Sequence, residues 1–203
     1  MKKTQILNAA TNLFMRHGFG VVTMDKVATE AKVSKATVYA HFAGKEVLFA
    51  AILENYFEQS AISVPQLPTT IAQNEAEFLS QLAGFLREVH GYYTNPAVIK
   101  LYRLLIGEVN QFPEIFDWVF GKQSIQSTSR LADFLFAARL FNFESAEAAY
   151  LIACKIMDML RGVTLWPQLV NNYHKYNLYP DGDAVVADIL NSANMLLQQY
   201  RLT

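Results

Sequence analysis

The chain contains 203 residues, of which 17 are basic and 18 acidic, and its formal net charge is −1. The hydrophobic share of 52% is sufficient for a large core, with apolar surface left to bury against a partner. Cys154 is the single cysteine, which excludes an intramolecular disulfide and makes a reducing cytoplasm the expected compartment.

Charge is unevenly distributed along the chain. Residues 1–50 hold seven basic and three acidic side chains, whereas the remaining residues hold ten basic and fifteen acidic ones. The two parts therefore carry net charges of +4 and −5. A basic segment joined to an acidic body would concentrate attraction for phosphate groups at one end of the chain, although chance alone can produce such an asymmetry.

The first predicted helix begins near the N-terminus and ends before Gly18, a residue type that favours helix C-termini. Its basic start resembles a secretion signal, but Asn8, Asn12 and Arg16 interrupt the apolar stretch that such a signal needs. No apolar run reaches the roughly 18 residues that span a bilayer, so we expect no membrane association. One helical face is formed by Ile6, Leu7, Ala10, Leu13 and Phe14.

Residues 23–45 predict two short helices joined by a tight turn. Thr23 is a good N-cap for the first helix, and Asp25 lies in its first turn, where negative charge is favourable. Ser34 can cap the second helix, which is expected to run to about Phe42. The apolar face of the first helix consists of Met24, Val27, Ala28 and Ala31.

The two sides of the second helix differ in character. Val38 and Phe42 fall together at helical spacing and are expected to face the core. Small side chains opposite them would let the helix approach base edges in the major groove of DNA, and flanking polar groups could contact phosphates. Short amphipathic helix pairs also occur inside ordinary bundles. The outer side contains Ala36, Thr37 and Ala40, flanked by Tyr39 and His41, with Lys35 at the helix start.

The order of residues in this segment resembles the TetR family of bacterial transcriptional repressors. The resemblance covers about the first fifty residues, whereas the rest of the chain is similar to the family only in length and helical character. It implies a helix-turn-helix head followed by a helical domain that varies widely within the family. The matching residues are Thr23, Val27, Ala28, Ala31, Val33, Ser34, Thr37, Tyr39, His41, Phe42, Lys45, Glu46, Leu48 and Phe49.

The resemblance also implies roles for individual residues. Thr37 matches the family position that reaches bases. Thr23 matches a residue that presents its backbone N–H to a phosphate at a helix N-terminus. The side chains implied to contact phosphates are those of Tyr39, His41 and Lys45. The whole predicted DNA interface comprises Thr23, Lys26, Ser34, Lys35, Ala36, Thr37, Tyr39, Ala40, His41 and Lys45.

Two positions depart from the family pattern. Lys32 stands in the turn where the family often has glycine, and a left-handed backbone there would cost about 1 kcal/mol without glycine. Ala36 stands where the family often has another glycine, and its methyl group could touch a thymine methyl. Both departures could alter which operator is read, and neither threatens the assignment.

The remaining chain is predicted to form successive helices. The segment 64–70 contains two prolines and is the best candidate for a linker. Asn95 and Pro96 form a typical helix start, and Pro167 is expected to end a helix. The predicted helices cover 45 to about 60, about 75–93, 96 to about 111, a short aromatic segment from Pro113, 122–141, 144–165 and a final helix capped by Asp183.

The last two long helices are predicted to form a dimer interface. They are apolar and rich in small residues, which permits close approach between helices. In the TetR family the corresponding helices pair across a two-fold axis, and two recognition helices can then read a palindrome. The alternative is that both helices are internal core. The predicted interface residues are Ala149, Ile152, Ala153, Ile156, Ile189, Ala193, Leu196 and Leu197.

Aromatic residues beyond the head could line an apolar ligand cavity, although such residues more often belong to an ordinary core than to a pocket. The resemblance implies that an effector bound there would move the helix at 45–60 and release the operator. The predicted ligand site consists of Tyr93, Tyr102, Phe116, Phe120, Phe134, Met157, Arg161 and Trp166.

Sequence signatures of enzymes are missing from this chain. It contains no His-Glu-x-x-His or Glu-x-x-His pattern, no Gly-x-Ser-x-Gly elbow and no complete phosphate-binding loop. We therefore expect no catalytic activity, no metal ion and no cofactor. A remaining alternative is a helical protein that binds lipids or other hydrophobic compounds without regulating genes. That alternative leaves the outward Thr37, Tyr39 and His41 without a purpose.

Together these patterns predict an all-α protein with two domains. Residues 1–46 are expected to form a three-helix helix-turn-helix head, and residues 47–203 a helical bundle for ligand binding and dimerisation. The expected function is that of a ligand-responsive repressor. Such a protein would bind a palindromic operator in double-stranded DNA as a homodimer and be released by a small apolar or aromatic effector of unknown identity.

Overall fold

The computed structural model describes residues 2–59, 65–68, 70–108, 125–170 and 181–201. Secondary structure in these ranges is helical, apart from one isolated antiparallel bridge, so the all-α prediction is confirmed. The helices of the described ranges are α1 (Lys2–His17), α2 (Met24–Glu30), α3 (Lys35–His41), α4 (Lys45–Gln59), α5 (Glu75–Thr94), α6 (Pro96–Glu108), α7 (Ile125–Ala137), α8 (Ala146–Leu169) and α9 (Gly182–Gln198).

The chain divides into two compact units. The first comprises Met1–Ile62 and Leu101–Trp118, and the second comprises Ser63–Lys100 and Val119–Thr203. The first unit therefore contains α1 to α4 together with the larger part of α6. The second contains α5, the beginning of α6, and α7 to α9.

An aromatic cluster forms the core of the first unit. Helix α1 packs against α2 and α4, and it ends at Gly18, which has a φ of +78° and donates its N–H to the carbonyl oxygen of Phe14 at 2.9 Å. The rings of Phe14, Phe19 and Phe49 lie with centroids 4.9 to 5.5 Å apart, and all three side chains are buried. The cluster joins α1, the loop after it and α4 through edge-on and stacked ring contacts.

Both predicted caps of the helix-turn-helix segment are confirmed. The hydroxyl oxygen of Thr23 accepts a hydrogen bond from the Lys26 N–H at 3.3 Å, and that of Ser34 accepts one from the Thr37 N–H at 3.1 Å. These bonds satisfy backbone donors that a helix start leaves free. The residues predicted to face the core are all buried: Met24, Val27, Ala28, Ala31, Val38 and Phe42.

The turn between α2 and α3 requires a left-handed residue, and Lys32 occupies that position with a φ of +51°. Asparagine tolerates this conformation better than lysine, whereas a β-branched side chain tolerates it worse. We expect Lys32→Asn to raise the free energy of unfolding by about 0.5 kcal/mol and Lys32→Val to lower it by about 1 kcal/mol or more. Urea unfolding of the two variants measures this difference, and a valine variant as stable as the asparagine variant would contradict it.

The second unit is a packed set of helices. Helix α7 packs against α8, and α9 packs against both α5 and α8. Each of three helices begins with a side-chain cap that accepts the backbone N–H three residues later: Asn74 for α5, Ser145 for α8 and Asp181 for α9. Phe78 of α5 stacks on Phe134 of α7 with centroids 5.1 Å apart, which adds an aromatic contact to this core.

Two predicted helix boundaries in the second unit are wrong. Asp181, not Asp183, caps α9: its carboxylate accepts from the Ala184 N–H at 2.9 Å, whereas Asp183 lies in the first turn and pairs with Arg87. Pro167 lies inside α8 and does not end it. Its missing N–H leaves the carbonyl oxygen four residues earlier without that helical bond, and the helix nevertheless continues to Leu169, two residues beyond the proline.

Other boundaries differ by a few residues. Helix α7 ends at Ala137 instead of residue 141, and Arg139 just beyond it has a φ of +52°, which a helix cannot contain. The predicted start of α6 at Asn95 and Pro96 is confirmed. The short aromatic helix predicted from Pro113 lies outside the described residues. Within the described ranges no single helix is both long and apolar enough to cross a bilayer; only the bent pair of α3 and Lys45–Asn55 passes on length and composition.

Candidate nucleic-acid interface

Helix α3 presents its predicted outer side to solvent. Ala36 and Ala40 are exposed, Thr37 is half-buried, and Tyr39 at one flank is 45% exposed. Val38, on the opposite side, is fully buried and anchors the helix to the head. The exposed centre of α3 therefore carries two alanine methyl groups and one threonine side chain, a profile thin enough to reach base edges in a major groove.

The Thr37 hydroxyl is held in place before any ligand arrives. Its oxygen lies 2.8 Å from the hydroxyl oxygen of Ser34, and the Ser34 oxygen also accepts the Thr37 backbone N–H. One residue thus caps α3 and orients the side chain that is predicted to reach bases. Such pre-orientation reduces the entropy lost when a polar contact forms.

Lys35, at the start of α3, forms an exposed ion pair with Asp25 of α2. Its ammonium lies 2.8 Å from one carboxylate oxygen, and this hydrogen bond and charge raise the pKa of Lys35 above its usual value. Exposed ion pairs contribute little stability. Exchange of the carboxylate for a DNA phosphate would therefore cost little free energy. Lys35 would remain charged throughout.

Two lysines of the predicted DNA interface meet at the loop between α1 and α2. Lys26 donates to the Val21 carbonyl oxygen at 3.2 Å, and Lys45 donates to the Gly20 carbonyl oxygen at 3.3 Å. The Lys45 ammonium also lies 4.2 Å from the centroid of the Phe19 ring. Burial lowers the pKa of Lys45, and the nearby carboxylates of α4 and α6 oppose that change. The loop therefore anchors both cations at two adjacent carbonyl groups.

Sequence reasoning missed two residues that support this interface. The Gln5 side-chain amide donates to the Ala31 carbonyl oxygen at 2.9 Å and so ties α1 to the end of α2. Glu108 of α6 accepts the Phe19 N–H at 2.8 Å. The first pair is separated by 26 positions in the chain and the second by 89, so no local sequence pattern predicts either contact.

The predicted ligand-site residues are not all placed together. Tyr93 and Arg161, both of the second unit, are in contact: the Arg161 Nε donates to the Tyr93 hydroxyl oxygen at 3.0 Å. The same guanidinium donates to the Thr128 hydroxyl at 3.0 Å and to the Asp158 carboxylate at 2.6 Å. Helices α5, α7 and α8 therefore meet at one arginine, which holds a largely buried charge among polar partners.

Other ligand-site candidates have different surroundings. Met157 is fully buried, Trp166 is 56% exposed, and Tyr102 is buried in the first unit. Phe116 and Phe120 lie outside the described residues. Phe134 lines a cavity of about 330 Å³ between residues 66–68 and 70–72 on one side and α7 on the other. Polar groups at that cavity come from Gln66, Thr70, Arg130 and Asp133.

The predicted dimer residues lie mainly in the protomer's own core. Seven of the eight are buried within the single chain: Ala149, Ile152, Ala153, Ile156, Ile189, Ala193 and Leu197. Leu196 is partly exposed. The same two helices expose other large apolar side chains, namely Leu151 and Trp166 on α8 and Met195 on α9, each more than half exposed. Among the described residues, no group of three or more metal-ligating side chains occurs.

Two family models match the chain. A model described as bacterial regulatory proteins of the tetR family matches residues 6–52. A second, described as the C-terminal domain of AefR-like transcriptional repressors, matches residues 80–201, which is more than half of the chain. The two matches lie on the helix-turn-helix head and on the helical body that follows it.

Several known regulators are similar to this chain. It is 41% identical over 69 residues to the HTH-type transcriptional repressor SCO4008 of Streptomyces coelicolor. That alignment covers 34% of this chain and 36% of SCO4008. It is 30% identical over 84 residues to the HTH-type transcriptional activator FasR of Mycolicibacterium smegmatis, covering 41% and 38%. The matches thus span less than half of these relatives. A longer match, 26% identical over 172 residues, joins it to the HTH-type transcriptional regulator Mb1581 of Mycobacterium bovis, covering 84% and 78%.

Solved structures share the fold over almost the whole chain. The flavonoid-responsive regulator FrrA superposes with a TM-score of 0.75 at 24% identity and covers 98% of this chain and 95% of its own. A TetR transcriptional regulator from Agrobacterium tumefaciens superposes with a TM-score of 0.70 at 18% identity, covering 99% and 94%. At these identities the likeness establishes the fold alone. With the two family models, however, it leaves one assignment: the chain belongs to the TetR family of bacterial regulatory proteins.

Proposed function

We propose that this protein is a ligand-responsive transcriptional repressor that binds a palindromic operator as a dimer. The observation that carries the proposal is the exposed side of α3, where Ala36, Thr37 and Ala40 face solvent while Val38 anchors the helix. An exposed helix with a thin, partly polar centre suits the major groove, and Lys26, Lys35 and Lys45 surround it with positive charge. DNA is the target, so we place the protein in the cytoplasm.

Repression is favoured over activation by the family model of the body, which is described as that of AefR-like repressors. The names of the relatives include both a repressor and an activator. A reporter gene behind the protein's own upstream region separates the two outcomes. Repression predicts higher reporter output when the protein is deleted, whereas activation predicts lower output.

Binding to DNA is tested by a gel-shift titration with a duplex from that upstream region at several salt concentrations. Neutralising several phosphates releases counterions, so affinity should fall steeply as salt rises. A weak salt dependence, or equal binding to unrelated duplexes, would argue against a specific repressor and favour the hydrophobe-binding alternative.

Thr37 and Tyr39 should have different effects on recognition. We expect Tyr39→Ala to weaken binding to all duplexes by a similar factor, because a phosphate contact carries no sequence information. Thr37→Ala should instead change the preferred base at one position of each half-site. Selection from a randomised half-site library measures both effects. Thr29→Ala, an exposed threonine on α2 outside the proposed interface, is the matched control and should match the wild type.

The proposed dimer uses α8 and α9. Support comes from Leu151, Trp166 and Met195, because exposed apolar side chains of this size often mark protein contacts. Paired heads would present two copies of α3 to successive half-sites. Sedimentation at micromolar concentration distinguishes a dimer from a single protomer.

The proposed effector site lies in the second unit. It has two supports: the polar cluster around Arg161, with Tyr93 and Thr128, and the cavity beside Phe134. Aromatic compounds with hydrogen-bonding groups would suit both. FrrA is described as flavonoid-responsive, so flavonoids are sensible first compounds for a thermal-shift screen. A ligand bound only to the folded protein raises the midpoint, and it should also release DNA in a gel shift.

A further inference from the structure

Glu108 makes an unusual contact with the head. It lies on the part of α6 that belongs to the first unit, and its Oε1 accepts the backbone N–H of Phe19 at 2.8 Å. Phe19 is fully buried and its ring packs against Phe14 and Phe49. A residue from a distant part of the chain therefore supplies the acceptor for a donor at the start of the α1–α2 loop, where an unmet donor would be costly.

Gly18 allows this carboxylate to approach. A Cβ added to Gly18 would lie 2.5 Å from the Glu108 Oε1, which is closer than such atoms come in proteins. The glycine also has a φ of +78°, a conformation that other residues adopt with strain. The absence of a side chain at Gly18 thus has two consequences: α1 can end in a left-handed conformation, and the Glu108 carboxylate can approach the backbone.

The same loop holds the two lysines of the proposed DNA interface. Three consecutive loop residues make these bonds: Phe19 donates its N–H to Glu108, the Gly20 carbonyl accepts from Lys45, and the Val21 carbonyl accepts from Lys26. Thr23, the cap of α2, follows two residues later. A displacement of the loop at Phe19 would therefore move the anchor of both cations together.

We propose that Glu108 is a positioning residue for DNA binding, which acts by fixing the Phe19–Val21 loop so that Lys26 and Lys45 face the phosphates. The inference rests on the proposed function of the head. Glu108 does not touch DNA in this account. Its negative charge alone would oppose phosphate binding, so a charge effect and a positioning effect have opposite signs.

The opposite signs make a pair of variants informative. Glu108→Gln keeps an oxygen acceptor for the Phe19 N–H but removes the charge, whereas Glu108→Ala removes both. If positioning dominates, Glu108→Ala should weaken operator binding about tenfold. Glu108→Gln should then bind as tightly as the wild type or more tightly, since the loop is retained and a repulsive charge is lost.

The salt dependence separates positioning from a loss of folded protein. A smaller folded fraction lowers apparent affinity without changing the slope of log affinity against log salt. Loss of one or two phosphate contacts should lower that slope by about 0.9 for each contact. We therefore expect a reduced slope for Glu108→Ala and a wild-type slope for Glu108→Gln, with circular dichroism used to confirm that both variants are folded.

Gly18→Ala provides a second route to the same displacement while Glu108 is retained. Its methyl group would push the carboxylate away, so the salt slope should fall as it does in Glu108→Ala. In the Glu108→Ala background the added methyl meets no carboxylate, and Gly18→Ala should then cause no further fall in slope, a non-additivity typical of residues in contact. If Glu108→Ala proves poorly folded, the salt slope of the single Gly18→Ala variant, compared with that of Glu108→Gln, still tests the inference.

Two results would overturn the inference. Wild-type slopes in both Glu108→Ala and Gly18→Ala would show that the loop does not depend on the carboxylate. An equal increase in operator affinity in Glu108→Ala and Glu108→Gln would show that Glu108 acts through its charge alone. Both results presuppose salt-dependent operator binding by the wild type. A wild type without such binding would instead refute the proposed function itself.

Discussion

Replacing Ala40 with glutamate is expected to abolish operator binding while the protein remains folded. Ala40 lies at the exposed centre of α3. The new side chain would therefore occupy the space in which, as proposed, α3 contacts base edges. A carboxylate there would be desolvated among phosphates and would repel them. We expect the dissociation constant to rise by about 100-fold or more, as measured by fluorescence anisotropy with a labelled operator.

Ala146→Glu is the matched control for this experiment. Ala146 is also an exposed alanine at a helical position, but it begins α8 in the second unit. The two variants have the same net charge, so any general effect of an added carboxylate is shared. Equal operator affinity for the two variants would show that the exposed side of α3 does not enter the groove.

Replacing Phe49 with alanine is expected to have the largest effect on stability in the first unit. Phe49 is 1% exposed, and its ring meets those of Phe14 and Phe19 edge-on. Truncation of a buried phenylalanine leaves a cavity and typically costs about 3–5 kcal/mol. That loss is a large fraction of the usual free energy of unfolding. Urea unfolding followed by circular dichroism should show an earlier transition, accompanied by loss of operator binding.

Val47→Ala tests whether the effect arises from the aromatic cluster. Val47 is on the same helix, two residues before Phe49, and is 52% exposed. An exposed truncation of this size should change stability by less than about 0.5 kcal/mol. A Phe49→Ala variant no less stable than Val47→Ala would mean that the aromatic cluster contributes little to the stability of the first unit.

The features predicted correctly from the sequence depend on neighbours close in the chain. A cap needs one polar side chain and a donor three residues later, so Thr23 and Ser34 could be identified directly. The two faces of α3 follow from helical spacing alone, with Val38 buried and Ala40 exposed. The left-handed turn at Lys32 follows instead from the resemblance to the family, which often has glycine at this position.

The features that could not be predicted from the sequence depend on contacts between residues far apart in the chain, or on a choice between neighbouring residues of the same type. Asp181 and Asp183 flank one glycine, and local propensity does not decide which carboxylate caps α9. The exposed sides of α8 and α9 could not be identified from small residues, because alanines allow close packing inside a protomer as well as between protomers. Glu108 is recognisable as a charge within an apolar stretch, but no local pattern predicts its contact with Phe19, which lies 89 residues away.

The central claim is that the exposed side of α3 enters the major groove, and site-specific crosslinking tests it most directly. Cys154 is the single native cysteine, so a Cys154→Ser background allows one new cysteine to carry a short photoactivatable crosslinker. We expect Ala40→Cys to form adducts with operator bases at two symmetry-related positions, and Ala146→Cys to form none. Operator-bound protein that yields no base adduct from position 40, or equal adducts from position 146, would contradict the account.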